Sequence, residues 1–557
     1  MSIEKYIPSI YRLQGFSRHD KWYLLGITII GAIIRIIYHY NRSFVGDEIG
    51  TLIYLEKDIS YILSHFGTWL TMNYFIVLEK LIASFFGKSA LSLEFIPLTA
   101  GIMTIPLTAV LASRFTAPRV PLIAAALIAI NPYLIQYSGI IRSYSLLAVL
   151  SIFVMIAFFA WDDIRSYDYG IIVAIGCYAL ILAHPNGAYS LAYLLFMIGR
   201  ELICPAKRRK LFKSPTTLLL PLSISLFMAA ISYVKIFPKV LQEAMKWHDT
   251  PPTSISYIPY IFTQYFSGGF YGWVSAIFFM TGVLTTLKYE KPLAFLLPSI
   301  LLPILLISMQ GLSHFPWGYA RFLIFIVPVI ILFIAEGIHF YTITYVPKQS
   351  LRSIVMIVLL LLVVLTWLPQ TIELFEAKMS FPWHKVASFI KNQMKEGDII
   401  LGSDLTEPFH LRPYFPETPI ENLGDNGFPH SAVSRPTRIF FITSAHFVET
   451  TSPSYSFGKI QVIIYMPSPD RSSLQMMRDD FVNTAVKAHN KIDPEFSSLY
   501  KNICFINHEL KSADNSFYYY NLWIKCLELT ERQRNIPLSL QKWEAREFMK
   551  HLPHTLP

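Results

Sequence analysis

Charge is scarce in this sequence. Only 15% of the 557 residues are Asp, Glu, Lys or Arg, against roughly 25% in soluble domains, which excludes an ordinary soluble protein. Cysteine is rare too: four residues, at spacings that fit no metal site. There is no low-complexity segment and no clear repeat. The formal net charge of +10 does not point to nucleic acid, because the Lys and Arg are clustered between apolar runs in the way cytoplasmic loops of membrane proteins are.

What the chain has instead is hydrophobic length. Hydrophobic residues make up 53% of it, and the mean hydropathy is +0.43. A spanning helix needs about 20 mostly apolar residues. Such runs lie near 22–40, 93–115, 121–137, 145–161, 169–183, 188–202, 217–237, 270–287, 293–309, 322–340 and 354–368, eleven in all. A twelfth stretch, 69–86, contains Asn73, Glu79 and Lys80. A charge at the bilayer centre costs about 2.5 kcal/mol or more, so this stretch is read as an interfacial helix.

Loop charge supports that count. With Lys5, Arg12, Arg18 and Lys21 in the cytoplasm, eleven crossings also put Arg114, Arg119, Arg165, Arg200, Lys207 to Lys213, Lys288, Lys291, Lys348 and Arg352 on the cytoplasmic side. The outer face collects 41–92, 139–144, 184–187, 235–269, 311–321 and everything after about Gln370. The first run reads as a signal anchor rather than a cleaved signal peptide.

From about Glu373 charge density rises and apolar runs shorten. "IILGS", "RIFFITS", "KIQVIIYM" and "FYYYNLWIK" read as strands. "HKVASFIKNQMKEGD" and "SLQMMRDDFVNTAVKAHN" read as helices. The expected fold is therefore a mostly α polytopic membrane domain, residues 1–372, followed by an extracytoplasmic soluble α/β domain, residues 373–557. Cys504 and Cys526 lie in that second domain, either as a disulfide or as two thiols. Cys177 and Cys204 read as plain small side chains.

The candidate chemistry sits on the outer face. "SFVGDEIGTLIY" places Asp47 and Glu48 just after the first run. "GIIRSYSLL" places Arg142 and Tyr144, "LAHPNGAY" places His184 and Asn186, and "HFPWGYARFL" places His314, Trp317, Tyr319 and Arg321, each where a helix enters the bilayer. His65 lies in the first outer loop. Each has a plainer reading: acidic boundary markers, snorkelling arginines, a capping histidine, belt aromatics. Their coincidence on one side favours a site. A carboxylate accepts a proton at neutral pH, and an arginine binds phosphate bidentately without losing its charge. Together they suit transfer of a group from a lipid phosphate to a hydroxyl.

In order along the chain these motifs resemble the GT-C membrane glycosyltransferases, in the branch with protein O-mannosyltransferases, aminoarabinose transferases and Rgt-type bacterial enzymes. "GDE" is similar to that family's acidic motif, "NPYLIQYSGIIRSYSLL" to its Pro, Tyr and Arg pattern, "LAHPNGAY" to its His-containing turn and "GYARFLIFIVP" to its Arg helix. The sequence departs from the family in lacking a Pro pair after His65 and in carrying Glu94 where an arginine is common.

The resemblance implies a multi-pass protein of the bacterial inner membrane with a polyprenyl-phosphate-linked sugar as donor. Asp47 is then the base in an inverting transfer and Glu48 its supporting neighbour. Arg142 and Arg321 hold donor phosphate, while His65, Tyr144, His184, Asn186 and Tyr319 line the sugar and acceptor pocket. No metal or cofactor is expected, nor a nucleic-acid partner; membrane lipids are. The sugar, the acceptor (lipid, glycan or protein) and the oligomeric state stay open. Two rivals are a lipid or oligosaccharide transporter and a structural subunit of an envelope assembly. The matching inverted repeats and broken helices of a transporter are not found, and a structural subunit has no need of Asp47.

The topology is directly testable. On a background with its own cysteines replaced, Lys210→Cys should resist an impermeant thiol reagent in intact cells and Ser454→Cys should react. The reverse pattern would separate Asp47 and Arg142 from the outer face.

Overall fold

The computed structural model describes residues 16–40, 43–44, 47–65, 72–87, 90–203, 217–233, 257–266, 269–309, 320–380, 382–395, 397–402, 410–411, 414–415, 420–422, 438–443, 452–457, 460–466, 473–487 and 524. The chain divides into two compact units, residues 1–41 with 50–375 and residues 42–49 with 376–557.

The first unit is helical. Its elements are α1 (Arg18–His39), α2 (Asp47–Leu55, whose first three residues group with the second unit), α3 (Ile59–Ser64), α4 (Asn73–Phe86), α5 (Ala90–Leu93), α6 (Phe95–Phe115), α7 (Val120–Ile130), α8 (Pro132–Tyr137), α9 (Tyr144–Ile164), α10 (Tyr167–Ala183) and α11 (Gly187–Ile203). They continue as α12 (Leu219–Tyr233), α13 (Tyr257–Phe266), α14 (Gly269–Lys288), α15 (Pro298–Met309), α16 (Val327–Tyr345) and α17 (Gln349–Ser380), the last of which runs on past Phe375. The first helix starts where a polar segment meets an apolar one. Ser17 and Asp20 form a reciprocal capping box there, which satisfies two of the end N–H groups.

Among the described residues five helices are long and apolar enough to cross a membrane, or six if one bent pair counts as a span. The chain is thus a multi-pass membrane protein, and among the described residues fewer helices reach that length than there are apolar runs in the sequence. The reasons are local. The run at 121–137 is broken into α7 and α8 at Asn131–Pro132, where Asn131 caps the new helix through Leu134 N–H. The runs at 270–287 and 293–309 form helices bent by 115° at a break. Val120–Ile130 and Tyr167–Ala183 are apolar but only 11 and 17 residues long.

The doubtful stretch at 69–86 is represented by α4, whose 14 residues span about 21 Å, short of a bilayer core of about 30 Å. Its polar residues are accommodated individually. Burial pushes the Glu79 carboxyl up to about 9, so it is neutral at pH 7. The Lys80 ammonium donates to the Leu55 carbonyl at 2.7 Å. The Asn73 amide donates to the carbonyls of Ile62 and His65.

Close helix contact sets the core on one side of the bundle. A Cβ on Gly282 of α14 would fall 1.9 Å from the Phe333 carbonyl oxygen, and one on Gly337 of α16 would fall 2.1 Å from that of Phe278. Small residues let membrane helices approach backbone to backbone, and here nothing larger fits.

The second unit holds α18 (Trp383–Gln393), α19 (Ser473–Lys487) and a five-stranded sheet of order β2-β1-β3-β5-β4. The strands are β1 (Ile399–Gly402), β2 (Ile420–Asn422), β3 (Ile439–Thr443), β4 (Ser454–Phe457) and β5 (Ile460–Tyr465). β1 pairs in parallel with β2 and β3, while β5 is antiparallel to β3 and β4. The apolar runs become the central strands β1, β3 and β5, buried along their whole length. The short edge strands β2 and β4 carry no such run. "FYYYNLWIK", except Ile524, and Cys504 and Cys526 lie outside the described residues.

The glycine contacts predict a graded series. Gly282→Ala and Gly337→Ala should each destabilise by about 1–3 kcal/mol, read as a lower Tm in detergent. Gly26→Ala, with nothing within 4 Å of its Cβ, should not lower it. Equal Tm for all three would mean the two helices can part freely.

Candidate active site

The first unit brings three of the candidate residues from three separate motifs to one place. Arg142 lies in the link from α8 to α9, His184 in the turn from α10 to α11, and Arg321 just before α16. Arg142, Tyr144 and His184 are all buried, and Arg321 is half-buried.

The Arg142 link is fixed along its length. The ring of His39, at the end of α1, covers Gly139 so closely that a Cβ there would fall 1.2 Å from an imidazole carbon. The Thr51 hydroxyl donates to the Ile141 carbonyl at 3.1 Å. Arg142 N–H turns back to the Ile140 carbonyl at 2.6 Å, and Ser143 N–H donates to the Met72 sulfur at 3.4 Å. Upstream, the Asn131 side chain donates to the Tyr265 carbonyl at 2.9 Å while capping α8. Each bond satisfies a backbone group that has no partner inside a helix.

Aromatic rings wall the group. Tyr144 lies 5.8 Å from His184 and 5.3 Å from Tyr137, ring to ring, and Phe322 is 5.9 Å from His184. The Arg321 guanidinium stands 6.0 Å from the Tyr144 ring and 5.3 Å from Phe322. Phe322 and Tyr137 were not singled out by their residue types; their signal is position, beside Arg321 and seven residues before Tyr144.

His184 has a definite tautomer. Its Nδ1 accepts from the backbone N–H of Asn186 at 3.0 Å, so the ring proton is on Nε2. That Nε2 is buried and has no partner among the described residues. Burial, then Arg142 and Arg321, pull the imidazole down to about 3. The ring is therefore a neutral donor beside two cations. An anion would suit all three: it accepts one N–H from His184 and charge-assisted bonds from the guanidinium groups.

Asn186 contributes its backbone N–H to the His184 turn. His65 ends α3, stacked on Tyr61 at 3.7 Å and bonded through Nδ1 to Ser64 and Tyr61. Tyr319, with His314 and Trp317, lies outside the described residues.

Asp47 and Glu48 are the first two residues of α2, not part of an extended loop as adjacent polar residues after a span would be read. A helix N-terminus favours anionic side chains, which is why the acidic pair starts this helix. On a helix neighbours point about 100° apart rather than to opposite sides. Glu48 is 1% exposed while Asp47 is half-buried, so Asp47 is the more accessible of the two.

No family model matches the chain, and no curated protein sequence does. Among solved structures the chain is similar to the archaeal oligosaccharyltransferase AglB from Archaeoglobus fulgidus, solved with an inhibitory peptide and a dolichol-phosphate. That likeness has 13% identity and a TM-score of 0.47, covering 94% of this chain and 87% of the other. It is also similar to ArnT from Cupriavidus metallidurans bound to undecaprenyl phosphate, at 11% identity and a TM-score of 0.49, covering 80% of this chain and 98% of that one. At such identities these are likenesses of chain trace, and the functional reading rests on this chain's own residues.

The state of His184 sets a pH dependence of stability. Unfolded, a histidine titrates near 6.5; folded, this one titrates at about 3. Between these values the unfolded chain binds the extra proton, so stability is full above about 6.5 and falls as pH drops. From about pH 7 to 4 the wild-type Tm should fall more steeply than that of His184→Gln, which has nothing to titrate there. The difference corresponds to a few kcal/mol at most, on the order given by such linkage. Parallel slopes would refute the neutral imidazole.

Proposed function

We propose that the chain is a membrane glycosyltransferase that moves a sugar from a polyprenyl-phosphate donor to a hydroxyl of an envelope acceptor. The observation that carries this reading is the buried neutral His184, with an unshared Nε2–H beside Arg142 and Arg321. Two guanidinium groups and a neutral imidazole N–H act on one place in a membrane protein, and a lipid-linked phosphate suits that donor set. The neighbour structures, one with dolichol-phosphate and one with undecaprenyl phosphate, hold ligands of that chemistry. The sequence resemblance points the same way, with the outer face of a bacterial inner membrane as the location.

In this reading Arg142, Arg321 and His184 bind the donor phosphate, and Tyr144 and Phe322 wall the adjoining space. Asp47 takes the proton of the acceptor hydroxyl. The acceptor oxygen attacks the anomeric carbon in line as the bond from that carbon to the phosphate oxygen breaks, which inverts the configuration. The polyprenyl phosphate leaves with the bonding pair, and the guanidinium groups stabilise its growing charge. That charge is met by the protein without a metal ion. Buried Glu48 orients the segment rather than taking the proton.

Two sets of variants test the reading in one detergent preparation. Asp47→Asn keeps the shape but cannot accept a proton, so turnover should fall roughly 100- to 10,000-fold with donor binding intact. Glu48→Gln should cost about 10-fold, on the order of 1.4 kcal/mol. Arg142→Ala and Arg321→Ala should weaken donor binding by about 1.5–3 kcal/mol each, with Arg→Lys intermediate because the fork geometry is lost. Turnover should survive EDTA. Wild-type turnover by Asp47→Asn would move the base elsewhere, and unchanged donor affinity in both alanine variants would remove the arginines from the site.

A further inference from the structure

The second unit contains a short piece from the far end of the chain. Residues 42–49, which include the acidic pair, group with residues 376–557 rather than with the helices on either side of them in sequence. Ser43, 2% exposed, makes the specific contact. Its Oγ lies 2.9 Å from His384 Nδ1 and accepts from the His384 backbone N–H at 3.3 Å.

The chemistry of that contact follows from the start of α18. The helix begins at Trp383 behind Pro382, which provides no side-chain cap. A helix start leaves N–H groups unsatisfied, and a serine hydroxyl at the cap normally takes the N–H of the second or third residue. His384 is the second residue. Ser43, 341 positions away in sequence, does what Pro382 cannot. While its oxygen accepts that N–H, its own hydrogen can go to Nδ1, so a single hydroxyl bonds the backbone and the ring of His384. Burial, then Lys385, holds the His384 imidazole below its ordinary value, which favours the neutral ring that accepts from Ser43. Phe44, also buried, follows directly, and Asp47 opens α2 three residues later.

We propose that Ser43 and His384 are positioning residues for the transfer reaction. The soluble unit holds the segment that enters α2 by receiving a helix cap from it, and in this way fixes where Asp47 and Glu48 begin. This gives the C-terminal domain a role in the reaction itself and rests on the reading of Asp47 as the base.

The test uses the full-length protein in detergent with three readouts: hydrogen exchange of peptides covering residues 43–55 and 382–394, donor affinity, and turnover. Ser43→Ala should speed exchange in both peptides. Turnover should fall about 10- to 100-fold, the scale of a small misplacement of a reacting group, with donor affinity within about 2-fold of wild type. Ser43→Thr keeps a hydroxyl at the cap and should restore most of both the protection and the turnover. His384→Ala should speed exchange in the 43–55 peptide as Ser43→Ala does. Unchanged exchange at 43–55 in Ser43→Ala would overturn the anchoring. Faster exchange with wild-type turnover, while Asp47→Asn is inactive, would overturn the positioning role. If Asp47→Asn is itself active, the base assignment fails and the exchange arm alone decides whether Ser43 anchors the segment.

Discussion

Arg142 and His184 are buried to 3% exposure in a helical unit whose interior is otherwise mostly hydrocarbon. Taking a guanidinium out of water costs several kcal/mol unless its surroundings compensate. That constraint organises much of the first unit. A second cation, Arg321, lies close enough to act on His184, and an imidazolium there would add a third positive charge. The protein avoids it by keeping the ring neutral, with Nδ1 committed to the Asn186 N–H. The proton left on Nε2 is then directed rather than charged. Attraction for an anion comes from the guanidinium groups and direction from the histidine, a division that two residues of the same kind would not give.

The same constraint explains the backbone around the site. In a link such as 138–143 not every N–H and C=O group has a helical partner, and an orphaned buried group costs about 1–3 kcal/mol. Partners therefore arrive from outside: the Thr51 hydroxyl from α2 and the Met72 sulfur ahead of α4, each bonded to the link. Gly139 is required because the His39 ring occupies the space a side chain would take. The polar residues that looked expensive in a bilayer are used in the same economical way. Asn73 ties together the ends of α3 and α4, and Lys80 caps the carbonyl of Leu55.

The sequence made some features plain and left others hidden, for physical reasons. Hydrophobic runs announce themselves, so the membrane class, the small sheet and the helices α18 and α19 were all legible. Breaks within a run are not, because the hydrophobicity of 121–137 is continuous while Asn131–Pro132 interrupts its geometry. Residue type and loop position singled out Arg142, His184 and Arg321. They did not disclose that His65 stacks on Tyr61 of its own helix, because that contact depends on the turn of the chain and not on residue type. Phe322 was hidden because aromatic residues are everywhere in such a chain. The helical conformation of Asp47 and Glu48 was not legible either. A short acidic segment after a span reads as loop, whereas acidic residues at the first two positions of a helix are favoured by its own dipole.

What no local pattern discloses is a bond between residues 341 positions apart. Pro382 is the half of it that can be seen in sequence: a helix start whose preceding residue has no hydroxyl, amide or carboxylate to give. Such a helix must find its cap elsewhere or leave N–H groups to water. A hydroxyl suits the task better than an apolar contact would, because it accepts and donates at once and is directional in both. Burial of Phe44 alone would leave the segment free to slide, since apolar contact is non-directional. The two bonds of Ser43 fix register. A segment that carries a pair of carboxylates of unequal exposure needs register most, because turning the helix start by a single residue, about 100°, would put Asp47 where the buried Glu48 is.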